Sequence, residues 1–354
     1  MSAVATRPET SRSLARWREQ SLFLVWGSHG PRSRVFAHEL GIDVAFVRST
    51  SRRGLLAAPY KYGVQAVRTV SLLLRRRPRI VFVQSPPSLA VICVWLYCSL
   101  TGGRFVVDAH SAAMLSPFWT RPRWLIRHLA RRAVATVVTN QYFADALDHQ
   151  GARRLVIPDV PTRFPANGRF RVDGTFNVMV VNTFAPDEPL QEVIEAARSL
   201  PSVVFYVTGD TRRPGRALPT DLPANLRFTG YLSDPDYYAL MRASQAAMCL
   251  TVRDHTMQRG ACEALWMGRP VITSAWPLLK GYFADGAVFV DNTARGIREA
   301  VQELFRDHAR YQQGIERMQA ERRRGWLDAL AALDLALGRS EPHKGEVGEK
   351  RRVG

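Results

Sequence analysis

The chain has little acid for its base. Across 354 residues, 31 Asp and Glu stand against 49 Lys and Arg, a formal net charge of +18. Such a surface favours an anionic partner: nucleic acid, an acidic membrane face or a phosphorylated substrate. Most of the excess is arginine, whose planar guanidinium suits bidentate phosphate contact better than an ammonium does. A P-loop sequence is missing from both halves, which argues against an ATPase. Cysteine is scarce: Cys93, Cys98, Cys249 and Cys262 form no C-x-x-C pair and sit in apolar surroundings, so they read as buried free thiols of a reducing compartment rather than disulfides or zinc ligands. The first twenty residues are polar and basic with no apolar core, unlike a secretory leader. The longest hydrophobic run, residues 88–100 (SLAVICVWLYCSL), falls short of the ~20 residues that span a bilayer. It reads as a buried helix, with a membrane-dipping helix as the alternative.

What is present is a repeated alternation of short apolar strands and amphipathic helices. Residues 22–26 (LFLVW) predict a strand that runs into a loop, Gly27-Ser28-His29-Gly30-Pro31-Arg32-Ser33-Arg34, followed by a helix near 35–40. The loop is not G-x-G-x-x-G, but its glycines let backbone approach a ligand closely. Strands follow at 43–47, 80–84, 105–108, 135–139 and 155–157, with helices between them. Residues 158–174 hold three prolines and two glycines without periodicity and read as a linker. The alternation then restarts, with strands at 177–181, 203–208, 226–229, 246–250, 271–273 and 287–290. This pattern predicts an α/β protein of two similar parallel-sheet halves in tandem. The expected boundaries are a disordered basic arm at 1–20, domains at 21–165 and 166–310, a C-terminal helix at 311–337, and a disordered polar tail at 338–354.

The most informative stretch is 251–273, TVRDHTMQRGACEALWMGRPVIT. A polar loop follows an apolar strand and feeds a helix that Gly268 ends and Pro270 follows. In open α/β sheets, a loop of this kind at a helix N-terminus is where phosphorylated ligands bind. Asp234-Pro235-Asp236 matches a metal-binding D-x-D, but reads instead as a helix start, with Ser233 or Asp234 as cap, proline at the first position and an acid in the first turn. No metal is expected.

These motifs carry a resemblance. Glu263-Ala264-Leu265-x-Met267-Gly268-x-Pro270-Val271-Ile272, preceded by the loop 254–260, resembles the donor-binding half of GT-B glycosyltransferases, glycosyltransferase family 4 above all. The first half is similar to a narrower group, the dolichol-pathway β-1,4-mannosyltransferase and its prokaryotic relatives. That likeness rests on Gly30 with Arg34, Tyr62-Gly63-Val64, Gln84-x-Pro86-Pro87 and Val107-Asp108-x-His110, with Thr208-Gly209 and Asp236-Tyr237 later in the chain. The resemblance covers most of 22–305. Two departures stand out. Family 4 commonly has E-x7-E, yet the position eight before Glu263 is His255. Where many members place Arg or Lys, 182–188 carries Asp187 and Glu188, as the mannosyltransferase group also does.

The resemblance implies an α/β GT-B fold of two Rossmann-like parallel-sheet domains facing a cleft, and a metal-independent hexosyltransferase, with mannose from GDP-mannose as one option. Glu263 would hold the donor ribose, and His110 with Asp108 would stand at the reaction centre. Thr256 to Gly260 would form the helix N-terminus that favours phosphate, with Arg259 and Arg253 adding charge and His255 and Gly209 beside them. Gly27, Gly30 and Arg34 would line the cleft and meet a diphosphate. No cofactor is implied beyond a GDP- or UDP-linked sugar, which is a substrate; the acceptor would be lipid-linked or a glycan. Tyr60, Tyr62, Phe118, Trp119 and Trp124, among Arg52, Arg53, Arg121, Arg123 and Arg127, read as an interfacial surface for an anionic membrane. The expected place is therefore cytoplasmic, peripheral at the inner membrane face, with no nucleic acid as partner. The rival readings are a sugar-nucleotide epimerase of the same fold and a non-enzymatic basic nucleic-acid-binding protein.

Overall fold

The computed structural model describes residues 17–27, 30–48, 58–149, 151–211 and 221–338. The basic arm up to residue 16, the tail from 339, Ser28, His29, Arg52 and Arg53 lie outside the described residues. Contacts divide the chain into two units: Met1–Val138, Phe143–Val156 and Asp328–Gly354 form one, and Thr139–Tyr142 with Ile157–Leu327 form the other.

The first unit holds a parallel six-stranded sheet in the order β2-β1-β3-β4-β5-β6. Its strands are β1 (Ser21–Trp26), β2 (Asp43–Val47), β3 (Ile80–Ser85), β4 (Arg104–Ala109), β5 (Ala135–Val138) and β6 (Arg154–Val156). Every residue of β1 is buried, because helices cover both faces of the sheet. Between the strands run α1 (Pro31–Leu40), α2 (Ala58–Arg76), α3 (Ser88–Thr101), a short α4 (Ser111–Leu115), α5 (Arg123–Arg132) and α6 (Gln141–Asp148). Right-handed crossovers sort them. The chain moves one way along the sheet from β2 to β6, so α2, α3, α5 and α6 share one face, where they pack on Leu22, Leu24 and Trp26. The step from β1 to β2 runs the other way, so α1 lies on the opposite face. There Phe36 meets Phe23 and Phe82.

The second unit repeats the plan with the order β12-β11-β10-β7-β8-β9. Its strands are β7 (Asn177–Val180), β8 (Val204–Thr208), β9 (Leu226–Gly230), β10 (Ala246–Cys249), β11 (Val271–Ser274) and β12 (Ala287–Val290). Its helices are α7 (Leu190–Arg198), α8 (Asp234–Ala243), α9 (Arg259–Trp266), α10 (Pro277–Phe283), α11 (Ala294–Arg306) and the long α12 (His308–Gly338), whose residues from Asp328 onward count with the first unit. Numbered within the unit, this is the 3-2-1-4-5-6 order of doubly wound folds, with its switch point between β7 and β10. In the first sheet the switch point lies between β1 and β3.

The structure corrects several expectations about local elements. Helix α1 begins at Pro31, four residues before the expected start, because proline takes the first helical position and Gly30 caps it. At α8 the cap is Ser233, whose hydroxyl accepts from the Asp236 N–H, so Pro235 falls at the second helical position rather than the first. Helices α4 and α10 were not foreseen. All four cysteines are buried, and none is in a disulfide. Burial pushes the Cys98 thiol up to about 12.

Candidate functional site

Each unit gathers polar groups at the C-terminal ends of its central strands. In the first unit the centre is Asp108, on β4 and 1% exposed. Ala109 ends the strand, and His110 caps α4 with its N–H bonded to the Ser85 carbonyl. His110 Nε2 lies 3.1 Å from Asp108 Oδ2, so the ring N–H donates to the carboxylate. On the other side Arg32 Nε is 3.7 Å from Oδ1. Burial alone would raise the Asp108 carboxyl. The Arg32 charge and the His110 contact outweigh it and hold the group below the usual range.

The early start of α1 is what brings Arg32 here, in the first turn of the helix. Arg34, chosen from the sequence, is exposed and lies over the Phe46 ring. Gly27 donates to the Val47 carbonyl. A Cβ on Gly30 would come within 3.2 Å of the Phe46 and Val25 side chains, a tight fit that a larger residue would have to push apart. The neighbouring Ser33 hydroxyl donates to Gln84 Oε1 at the end of β3.

In the second unit, α9 starts at the switch point. Gly260 lets it do so: a Cβ there would stand 2.7 Å from Val181, just past β7, and 3.0 Å from the Cys249 sulfur at the end of β10. Gln258 caps the helix without a side-chain hydrogen bond. The first N–H groups and the positive end of the helix dipole therefore face the crevice outside β7 and β10.

Two loops flank that crevice. In the loop after β7, Glu188 takes the N–H groups of Thr183 and Ala185, and Asp187 accepts from the Thr251 hydroxyl. Arg253 stands 3.4 Å from Asp187, so the acids of 182–188 organise the loops internally. A Cβ on Gly209 would lie 2.6 Å from the Asn182 carbonyl oxygen. Gly209 thus supports the loop by packing. Each loop holds one non-glycine residue at positive φ, Phe184 at 58° and His255 at 55°. Strain of this kind is retained where surrounding contacts over-determine it. His255 stacks flat on Tyr142, centroids 3.8 Å apart, and its carbonyl accepts from Asn140 Nδ2. Thr256 donates its hydroxyl to the Asp254 carbonyl.

Glu263 is 6% exposed. Its Oε1 accepts from Arg259 Nε at 2.7 Å and from the Tyr238 hydroxyl at 3.1 Å, and its Oε2 from the Tyr237 hydroxyl at 3.0 Å. Burial raises its pKa against the pull of these three donors. A carboxylate has about four acceptor sites, so one remains. That site is open to one further donor. Tyr237 and Tyr238 were absent from the expected site. Their signal was present, an aromatic pair in the first turns of α8, but only the packing of α8 against α9 points them at Glu263. Among the described residues, no group of three or more His, Cys, Asp or Glu gathers as a metal site requires.

Residues 188–328 match the family model described as glycosyl transferase-like. Solved structures extend the likeness to nearly the whole chain. Sucrose-phosphate synthase from Thermosynechococcus elongatus superposes with a TM-score of 0.69 at 14% identity, over 91% of this chain and 100% of that one. The fold is GT-B. Anabaena HepE in complex with UDP and glucose gives 0.61 at 15% identity, over 93% and 95% of the two chains. A Listeria monocytogenes protein assigned as a UDP-N-acetylglucosamine 2-epimerase gives 0.57 at 12% identity, over 93% and 99%. No curated protein matches the chain in sequence. The glycosyl transferase-like match takes in β10, α9 and Glu263.

Proposed function

We propose that the chain is a glycosyltransferase that moves a hexose from a nucleoside diphosphate sugar to a lipid-linked or glycan acceptor. The observation that carries this is the N-terminus of α9, held at the β7/β10 switch point by Gly260 and followed by the Arg259–Glu263 pair. The N–H groups would take the leaving diphosphate, Arg259 would add positive charge as it departs, and the last acceptor site of Glu263 would take a ribose hydroxyl. The glycosyl transferase-like match over 188–328 supports the same role. HepE, a neighbour in fold, was crystallised with UDP-glucose. For the sugar, mannose from GDP-mannose is the finer reading, resting on the motif likeness of the first half.

In the first unit, Asp108 would orient His110. With Nε2–H given to the carboxylate, the other ring nitrogen is left with a lone pair for the proton of an attacking acceptor hydroxyl. Diphosphate binding by a helix and an arginine asks for no metal, so transfer is expected to persist in chelator.

Calorimetry with GDP, UDP and ADP tests the donor reading. One diphosphate should bind selectively, and Arg259→Ala should weaken it; binding of none would sink the proposal. The likeness to an epimerase-assigned structure favours one second reading, a sugar-nucleotide epimerase. Turnover of a nucleotide sugar with no acceptor present would select it.

A further inference from the structure

The helical layer of the first unit is apolar on its outer side as well as its inner one. Helix α2 buries Gln65, Thr69 and Leu73. Tyr60, Val67, Val70 and Leu74, spaced by seven, three and four residues, form a second stripe that is exposed. Helix α3 has no charged residue in its fourteen and buries one side. Its other side exposes Leu89, Leu96 and Leu100, the last by 86%. The sequence reading as a buried helix is thus half right. Beyond α3, Leu115, Phe118 (70%) and Trp124 (71%) project from the end of α4 and the start of α5.

The helices that carry these stripes pack side by side. Helices α2, α3 and α5 lie on the same sheet face. Trp95 of α3 meets His128 of α5, and Trp119 meets Tyr62 of α2. Tyr62 and Trp119 are partly buried joints beneath the face, not contacts on it as the sequence suggested. Residues 58–132 contain twelve Lys and Arg and a single acid, the buried Asp108. No carboxylate in this stretch is therefore left at the surface.

We infer that this α2–α3–α5 face docks onto an anionic lipid bilayer. Large exposed apolar patches mark interaction sites, and the charge selects the occupant. A second copy would bring two stretches together that are rich in arginine and free of surface carboxylate, which is repulsive. Anionic headgroups neutralise the arginines while Phe118, Trp124 and the α3 leucines enter the acyl boundary. Arginine stems and aromatic rings both suit that depth. The attachment is peripheral, since no helix among the described residues is long and apolar enough to cross a membrane. The inference does not depend on the donor, the acceptor or any catalytic activity.

Co-sedimentation with lipid vesicles tests it directly. The full chain should bind vesicles of phosphatidylcholine mixed with phosphatidylglycerol, and bind phosphatidylcholine alone far more weakly. Arg123→Gln and Arg127→Gln should each lower the partition about fivefold, the effect of one charge near an anionic surface. Phe118→Ser with Trp124→Ser should lower it by about tenfold or more. Both side chains are exposed, so the variants should keep the wild-type circular dichroism and melting temperature, which confirms that they are folded. Failure to bind the mixed vesicles overturns the inference, as does a partition that both sets of variants leave unchanged. So does a concentration-dependent dimer, seen by sedimentation, that Phe118→Ser/Trp124→Ser abolishes.

Discussion

Glu263→Ala should be among the most damaging substitutions in the second unit, and the structure says by how much. The carboxylate is 6% exposed and receives Arg259, Tyr237 and Tyr238. Breaking a buried ion pair from one side costs about 3–5 kcal/mol, and a buried hydroxyl left unsatisfied costs about 1–3 kcal/mol more. The Arg259 side chain is 38% exposed and can rehydrate, which discounts the first figure. A total of roughly 3–5 kcal/mol remains. At ~2–4 °C per kcal/mol for a unit of this size, the melting temperature should fall by about 6–20 °C. Glu263→Gln keeps the shape and two acceptor lone pairs and should fall by less than half as much. The pH response separates charge from packing. Burial raises the Glu263 pKa above its unfolded value, so its ionisation opposes folding. Wild-type stability should decline as pH rises from about 4.3 through the folded value, and Glu263→Gln should lack that decline. Scanning calorimetry of the three proteins between pH 4 and 8 reads all of this, with pH values chosen at roughly one-unit steps around the carboxylate range. A loss under about 2 °C for Glu263→Ala would refute the reasoning, because it would mean that the three donors find water or other partners at no cost.

Other expectations follow from the same geometry. Asp108 has its pKa held below the unfolded value, so it contributes stability above about pH 4 that is lost as pH falls through the folded value. The gap between wild type and Asp108→Asn, about 2 kcal/mol at neutral pH by denaturant titration, should close on acidification. Gly260→Ala places a methyl 2.7 Å from Val181 and should cost about 1–3 kcal/mol while weakening nucleoside diphosphate binding in calorimetry. His110→Ala should lower kcat by about 10²–10⁴ and cost about 1–3 kcal/mol of stability as well, because the buried Asp108 carboxylate loses a donor. The four thiols should resist a disulfide reagent at pH 8 in the folded protein and react on unfolding, since all are buried and Cys98 is pushed up to about 12.

What the sequence determined by itself was the local grammar. Apolar runs such as 22–26 and 80–83 can only be strands covered on both faces, and their alternation with helices implies parallel sheets. The cap Ser233 and the stop at Gly268 are written in neighbouring residues, so those helix ends were legible within a turn, whereas the Thr293 cap of α11 went unread. Pro31 carried the true start of α1, and reading it would have put Arg32 in the first turn.

Tertiary structure alone decided the order of the strands, and with it the two switch points. It brought Tyr237 and Tyr238 of α8 to Glu263 of α9, 26 and 25 residues away, and Arg32 to Asp108. It also left one side of α3 open where the sequence, apolar all round, gave no sign of which side that would be. The physical reason is the same in each case. Period and capping are properties of a few adjacent residues, whereas the partner of a side chain depends on which elements pack together, and that is set by burial summed over the whole unit.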